Sequence, residues 1–309
     1  MQDYLKKFSF GISLGISIDE YKKIIYKYGK YIKSVYFSLP YGDEFHTRKA
    51  VIKEYNKKNA RQRLIRILEL FKDNGIELEV VINQYNLDNE KILNALKEFS
   101  KVIKFNTICC LDEYVSAVKE HYTNKIIYSF NNKNLQEKDI YGISQSYNMV
   151  VVSREFMRNL EMLKKIKDCG MKTKLLLNNG CSFNCLSCRL GNEKCKEVFY
   201  NELLKNTAQE LYAKQSFFPW ELKKLFEEQK KININVIDEL KISNRPCTFE
   251  YLNDCLESYI YNKNEKKYIN KTYKNYHLWG RQSNLTPFFR EFNLEQINKI
   301  KLRIWKNIK

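Results

Sequence analysis

The sequence lacks any long apolar run. No stretch approaches the roughly 20 apolar residues that a transmembrane helix needs, and the apolar share of 44% is that of an ordinary globular protein. At the N-terminus, Met1 to Lys7 is polar and Phe8–Ile18 is interrupted by glycine and serine, unlike the apolar core of a secretory signal peptide. We therefore expect a cytoplasmic protein with no membrane span.

Common hydrolase motifs are also missing. There is no G-x-S-x-G elbow, no H-E-x-x-H zinc motif and no glycine-rich phosphate loop. Of the three histidines, His46 lies in the segment Gly42–Arg48 and could act in proton transfer. We expect no catalytic role for His121 or His277. Conventional hydrolysis therefore has little support.

Acidic residues are few relative to basic ones. The 54 Lys and Arg against 36 Asp and Glu give a formal charge of +18, which could serve a polyanion such as RNA. However, Lys, Asn, Ile and Tyr are abundant together, as in proteins of AT-rich genomes, and the lysines are spread along every predicted helix. An RNA partner stays open but is not favoured.

Cysteine is the residue that needs an explanation. Nine cysteines in a cytoplasmic chain are poor candidates for disulfides, because that compartment keeps thiols reduced. Cys169 and Cys255 lie in helical patterns and are predicted to be small buried hydrophobic residues. Four others lie within fifteen residues, namely Cys181, Cys185, Cys188 and Cys195. Four thiols are the number that a closed tetrahedral zinc site or a fully protein-ligated [4Fe–4S] cluster requires.

Eight short runs of β-forming residues alternate with helical stretches. The predicted strands are Phe8–Gly15, Val35–Leu39, Leu78–Asn83, Val102–Ile108, Lys125–Phe130, Met149–Ser153, Thr173–Asn178 and Val236–Ser243. Strands that alternate with helices indicate a parallel sheet, and eight such units with near-continuous apolar strands predict a closed (βα)8 barrel of the TIM type. An open doubly wound sheet is the alternative.

Helix signals agree with this alternation. Ser17 and Glu20 fit a capping box for a helix over Ile18–Tyr31, and Pro219 suits the first turn of another helix. We expect the barrel to occupy residues 1–260, with a long cysteine-bearing insertion at 180–235 between strands seven and eight, where lids and cofactor-holding segments are common. Residues 261–309 form a basic, aromatic-rich extension with a helix near Leu294–Trp305.

The active site of such a barrel lies at the C-terminal ends of its strands, and here these ends are polar. The predicted mouth carries His46 after strand two, Cys109 and Cys110 after strand four, Arg154 and Glu155 after strand six, Asn178 and Asn179 after strand seven, and Arg245 and Cys247 after strand eight. Amides are common turn residues. A fixed charge at a barrel mouth is costly unless it forms an ion pair or takes part in function. Arg154, Glu155 and Arg245 are therefore stronger candidates for site residues.

The cysteine spacing leaves alternatives open. The pattern Cys181-x3-Cys185-x2-Cys188 is also the one that radical S-adenosylmethionine enzymes use, although their cysteines normally follow the first strand of the barrel and seven predicted strands precede these. A closed zinc site would instead fix the insertion and make the barrel a non-catalytic scaffold for a partner protein. For the fourth ligand position, Cys247 competes with Cys195.

Four motifs in order carry a family resemblance. They are Val150–Glu155, Leu177–Cys185, Phe218–Leu222 and Leu240–Arg245. Over about residues 145–260 the chain resembles the collagenase-like peptidase family U-thirty-two (U32), whose members are βα barrels. Several members are understood as [4Fe–4S] proteins that act without oxygen in hydroxylation of ubiquinone precursors or RNA bases. The resemblance implies Cys181 and Cys185 as cluster ligands, and a site lined by Arg154, Glu155, Lys241 and Arg245.

Together these patterns predict an iron–sulfur, oxygen-independent redox or hydroxylation-type enzyme that acts on an anionic substrate such as an RNA base, a modified peptide or a small metabolite. Arg154 and Arg245 would bind the anion through bidentate contacts. Further predicted substrate contacts are Lys241, Asn178 and Asn179. Glu155 is the candidate acid or base, although an ion pair with Arg154 or a place at a helix N-terminus would explain it equally well.

Overall fold

Eight parallel β-strands form a closed barrel in sequence order. The computed structural model describes residues 4–45, 49–122, 125–129, 135–152, 156–178, 217–243, 247–263 and 294–307. The first strand pairs with the eighth as well as with the second, so the sheet closes on itself. The predicted (βα)8 barrel is therefore confirmed, and the open doubly wound sheet is wrong.

The strands are short and almost fully buried. They are β1 Phe8–Gly11, β2 Ile32–Phe37, β3 Glu77–Ile82, β4 Thr107–Cys110, β5 Lys125–Tyr128, β6 Met149–Val151, β7 Lys172–Leu176 and β8 Glu239–Ile242. In the described residues the α-helices are α1 Ile18–Tyr28, α2 Lys49–Tyr55, α3 Ala60–Asp73, α4 Asn89–Ser100, α5 Asp112–His121, α6 Ile140–Ser144, α7 Leu160–Asp168, α8 Pro219–Lys231, α9 Phe249–Ile260 and α10 Leu294–Asn307. None of these helices is long and apolar enough to cross a membrane.

Local sequence signals set the helix ends. The hydroxyl of Ser17 accepts the Glu20 N–H, while the Glu20 carboxylate accepts the Ser17 N–H at 2.7 Å, so the predicted capping box is confirmed. Pro219 is the first residue of α8, where a missing N–H costs nothing. After α3, Gly75 has a φ of 67°, a left-handed conformation that lets the chain turn back at little cost.

The fourth strand lies later in the chain than predicted. It is observed at Thr107–Cys110, because Asn106 fixes a turn just before it: the Asn106 side chain accepts the Leu78 N–H at 2.9 Å, and its own N–H donates to the Leu78 carbonyl. Val102, the predicted start, is 47% exposed. The two adjacent cysteines therefore belong to the strand itself, and their predicted place in the following loop is wrong.

The C-terminal helix α10 packs against the barrel. Ile297 is fully buried and Trp305 nearly so, on one face of the helix. The predicted helix in this region is confirmed, ending two residues later than expected. Since an isolated helix of this length is marginal in water, this packing is what stabilises it.

Candidate active site

Ser13, just after β1, joins three elements at the C-terminal rim of the barrel. Its hydroxyl lies 2.9 Å from a carboxylate oxygen of Glu54 in α2 and 2.9 Å from the carbonyl oxygen of Cys247, and the Cys247 N–H donates back to it. The Glu54 carboxylate also accepts the N–H groups of Leu14 and Gly15, at 3.0 and 3.1 Å. The backbone of Cys247 is thereby fixed beside the end of β1.

Cys247 is the predicted metal ligand that the structure describes. Its side chain is buried, and a thiol there is a suitable donor for iron or zinc. The other predicted ligands lie outside the described residues, namely Cys181, Cys185, Cys188 and Cys195. Within the described ranges no group of three or more His, Cys, Asp or Glu side chains could hold a metal ion.

Asn178 connects the ends of β7 and β8. Its side-chain oxygen accepts the Ser243 N–H at 2.7 Å, and its amide nitrogen donates to the Tyr251 hydroxyl of α9 at 2.8 Å. The side chain is 4% exposed. Both ends of the amide are therefore used within the protein, and its predicted contact with a substrate stays a prediction.

Leu177 and Phe217, which flank the cysteine-bearing residues 179–216 of the insertion, are fixed at this rim. Before these residues, the Leu177 N–H donates to the Lys241 carbonyl oxygen in β8 at 2.9 Å. After them, the Phe217 N–H donates to the Leu177 carbonyl oxygen at 2.7 Å, and the Tyr259 hydroxyl donates to the Phe217 carbonyl oxygen at 2.9 Å. The chain thus leaves β7 and returns to the same place beside it.

Below the rim, two carboxylates and two ammonium groups form an ion cluster inside the barrel, here called the tetrad. Its members are Glu79, Lys174, Glu239 and Lys241. Lys174 bonds to Glu79 and lies 2.8 Å from Glu239. Lys241 lies 3.4 Å from Glu79 and 4.0 Å from the centre of the Tyr36 ring. Equal numbers of opposite charges make this buried cluster electrically neutral overall.

The tetrad keeps its central members charged. Burial alone would raise the pKa of Glu79, but the attraction of Lys174 and Lys241 lowers it below its usual value. Burial would lower the pKa of Lys174, yet Glu239 and Glu79 raise it above the ordinary lysine value. A permanently protonated Lys174 cannot act as an amine nucleophile, which needs a lowered pKa. The tetrad is therefore suited to hold the barrel together and to orient Lys241.

The predicted substrate contact Lys241 lies within this tetrad and is almost fully buried. Its ammonium already has a carboxylate and an aromatic face as neighbours. The remaining predicted mouth residues lie outside the described residues, namely His46, Arg154, Glu155, Asn179 and Arg245.

The described cysteines elsewhere fit a packing role. Cys255 is fully buried in α9, as predicted, while Cys169 at the end of α7 is only partly buried. Burial raises the pKa of the Cys109 thiol to about 11 and raises that of Cys110 further above the usual range. Both thiols in β4 are thus protonated at neutral pH and are poor nucleophiles or ligands.

Comparison with known proteins finds only distant structural neighbours. No protein-family model and no curated protein sequence matches the chain. The U32 peptidase Mk0906 matches with a TM-score of 0.48 at 9% identity, over 77% of this chain and 92% of that one. A tryptophan synthase complex from Pyrococcus furiosus matches with a TM-score of 0.45 at 10% identity, over 90% of this chain and 99% of that one. A monomeric dihydrodipicolinate synthase variant matches with a TM-score of 0.42 at 12% identity, over 91% of this chain and 98% of that one. Likeness at this level supports no conclusion about this chain.

Three members of the tetrad were not predicted as site residues. The signal for them is an alternation of charged and uncharged residues in three strands, Glu77-Leu78-Glu79, Lys172-Thr173-Lys174 and Glu239-Leu240-Lys241. Alternate residues of a strand point to opposite faces. In this barrel the second charge of the first two runs and both charges of the third lie in the interior, whereas Lys172, at the start of β7, is exposed.

Proposed function

We propose that this protein is an iron–sulfur enzyme that performs an oxygen-independent redox or hydroxylation-type reaction on an anionic substrate at the C-terminal mouth of its barrel. One observation carries the proposal: Leu177 and Phe217, which flank the cysteine-bearing residues 179–216, are hydrogen-bonded to each other at the rim of the barrel. Catalytic groups of (βα)8 enzymes lie at this rim.

Chain length brings the first cysteine to the same rim. Cys181 follows Asn178 by three residues, so their Cα atoms are at most about 11 Å apart. Cys247 comes from the adjacent strand end, where Ser13 holds its backbone. The first cysteine of the insertion is therefore within reach of the strand end that carries Cys247, which supports a shared metal centre.

The roles in this proposal follow from residue chemistry. Cys181, Cys185 and Cys188, with either Cys195 or Cys247, would hold a [4Fe–4S] cluster, which supplies electron transfer when bound. Arg154 and Arg245 would bind the anionic group of the substrate with their planar, two-point donors. Glu155 and His46 are the candidates to give or take a proton.

Anaerobic purification with iron, sulfide and zinc analysis tests the proposal. Cys181→Ala and Cys185→Ala should abolish iron and sulfide content, whereas the matched controls Cys169→Ala and Cys255→Ala, outside the insertion, should keep both. Arg154→Lys and Arg245→Lys should also keep the cluster, because neither residue is a ligand.

Other outcomes would point elsewhere. A colourless protein with one zinc per chain would overturn the enzyme proposal in favour of a zinc-stabilised scaffold. Formation of 5′-deoxyadenosine from S-adenosylmethionine by the reduced protein, above the Cys181→Ala control, would replace it with radical chemistry. Equal metal content in all four cysteine variants would contradict any site on the insertion.

A further inference from the structure

Glu54 in α2 presents its carboxylate to the end of β1, where three hydrogen-bond donors converge on it. Oε1 lies 2.9 Å from the Ser13 hydroxyl and accepts the Gly15 N–H at 3.1 Å, while Oε2 accepts the Leu14 N–H at 3.0 Å. Each carboxylate oxygen therefore has a donor of its own. Successive backbone N–H groups can form a concave site for anions. We call these three donors, from Ser13, Leu14 and Gly15, the β1 cradle.

The β1 cradle is reached from solvent on the side of Gly15. Gly15 is exposed, whereas Ser13 and Leu14 are buried. A methyl group at position 15 would lie 3.2 Å from Glu54 Oε1, so glycine leaves room for an anion to approach the backbone closely. Glu54 itself is partly exposed. Rotation of its side chain can therefore bring the carboxylate into water without moving α2.

Two of the three donors keep an acceptor when Glu54 leaves. The Ser13 hydroxyl has a single hydrogen and also lies 2.9 Å from the Cys247 carbonyl oxygen, to which it can donate. The Gly15 N–H lies 3.3 Å from Ser13 Oγ and is open to water. Because a buried donor without an acceptor is costly, the Leu14 N–H is the group that most needs an anion or water in place of Glu54. Exchange of one anion for another at the cradle therefore costs the fold little.

We propose that the β1 cradle is a binding site for the carboxylate of a ligand at the mouth of the barrel, and that Glu54 fills this site when no ligand is bound. The cradle follows β1 at the rim where (βα)8 enzymes bind their substrates. Ser13 joins it to Cys247, which follows the neighbouring strand β8. Arg63 Nη2 donates to the Ile16 carbonyl oxygen at 3.1 Å, so a positive charge lies on the same loop.

The nature of the present occupant indicates the ligand class. Glu54 offers two oxygens in one plane, and donors meet both of them. A ligand carboxylate reproduces that arrangement. The identity of this ligand with the anionic substrate rests on the proposed function, whereas the site itself requires no metal.

Amide NMR of the full chain at pH 7, titrated with sodium acetate, tests the site, with sodium chloride at equal ionic strength as the reference. In the unchanged protein, acetate should shift the Leu14 and Gly15 amide signals by displacing Glu54. In Glu54→Ala the same signals should titrate at an acetate concentration about tenfold lower or less, because the fraction of cradle that Glu54 fills reduces the apparent affinity. Glu69→Ala is the matched control. It removes an exposed carboxylate from α3 and should titrate like the unchanged protein.

Two further variants keep the test decisive. Glu54→Gln keeps the size of the side chain and removes its charge, so its acetate affinity should lie between those of the unchanged protein and Glu54→Ala, because a neutral amide oxygen is the weaker acceptor. Adding Gly15→Ala to Glu54→Ala should reduce the gain in acetate affinity, since the new methyl group takes part of the space that Oε1 occupied.

Several results would overturn the site. Equal acetate affinity in Glu54→Ala and Glu69→Ala would show that the cradle does not select a carboxylate. A response in the Glu54 variants alone would show that Glu54 is a fixed structural contact which no ligand displaces. Tighter binding of inorganic phosphate than of acetate would contradict the ligand class. Acetate binding at Leu14 and Gly15 in a protein without iron would keep this site and refute the iron–sulfur proposal.

Discussion

Replacing Lys174 with Met removes one charge from the centre of the barrel and keeps the apolar stem of the side chain. Glu79 is then left with Lys241 at 3.4 Å, and Glu239 with the Ser34 hydroxyl at 3.4 Å. Lys174 is fully buried, as is Glu79. Breaking a buried ion pair in this way costs about 3–5 kcal/mol. That is a large part of the roughly 5–15 kcal/mol that stabilises a typical domain.

The stability lost in Lys174→Met should depend on pH in a defined direction. In the unchanged protein the folded-state pKa of Glu79 is lowered from 4.5, so its contribution to stability is complete above about pH 4.5 and is lost as the pH falls through the lowered folded-state value. In Lys174→Met, burial is opposed chiefly by Lys241, and we expect the pKa of a tetrad carboxyl group to rise above 4.5. The variant should then regain stability as the pH falls from 7 towards 5.

Urea unfolding followed by circular dichroism at pH 5 and pH 7 measures both effects. Lys172→Met is the matched control, because Lys172 lies two residues earlier in β7 and is exposed. This variant should change the midpoint of the urea unfolding transition little. Glu79→Gln combined with Lys174→Met should recover part of the loss, since it removes the uncompensated carboxylate. If Lys174→Met costs no more than Lys172→Met, or the same at both pH values, the tetrad does not stabilise the barrel as argued.

Three further predictions concern the surrounding structure. Asn178→Ala should lower the free energy of unfolding by about 1–3 kcal/mol, because the Ser243 N–H and the Tyr251 hydroxyl lose their hydrogen bonds to Asn178, whereas Asn94→Ala on the exposed face of α4 should cost little in the same urea titration. Burial lowers the pKa of Lys301 to about 7, so docking of α10 should strengthen as the pH rises from about 7 to about 10, where docking releases a proton. Below about pH 6 Lys301 is protonated in both states, so docking should no longer depend on its titration. Tryptophan fluorescence in urea measures this, and a slope that survives in Lys301→Met would contradict it. Cys109 should resist iodoacetamide at pH 7.5 while the partly exposed Cys169 reacts, as mass spectrometry of the folded protein would show.

The order of the barrel elements was predictable from local signals. β-forming runs separated by helical stretches identify eight strands, and the capping box at Ser17 and the proline at the start of α8 place two helix starts. The error at β4 has a non-local cause. Val102 begins an apolar run that resembles a strand, but Asn106 forms side-chain and backbone hydrogen bonds with Leu78 that fix this run as a loop. Those bonds depend on a residue 28 positions away, which periodicity does not report.

The buried charges were harder to foresee. Lys301 lies between Ile297 and Trp305 at a spacing of four residues, so the helical pattern does place it on the buried face of α10. Its partner Glu221 is 80 residues away. Likewise, Lys174 and Glu79 are 95 residues apart and meet because the register of the closed sheet brings them to one level. Periodicity indicates which face of a helix or strand a charged residue occupies. Its ion-pair partner is known only from the way the elements pack in the folded protein.

The buried charges also limit where an anionic substrate could be recognised. Lys241 points into the barrel, and its ammonium already interacts with Glu79 and the face of the Tyr36 ring. An anion that drew Lys241 away would weaken the compensation of a buried carboxylate, which is costly. On the proposed function, recognition is therefore favoured above the tetrad, at Arg154 and Arg245, which follow the two strands on either side of β7. The interior charges would then stabilise the barrel, and the loops at its rim would contain the catalytic and substrate-binding residues.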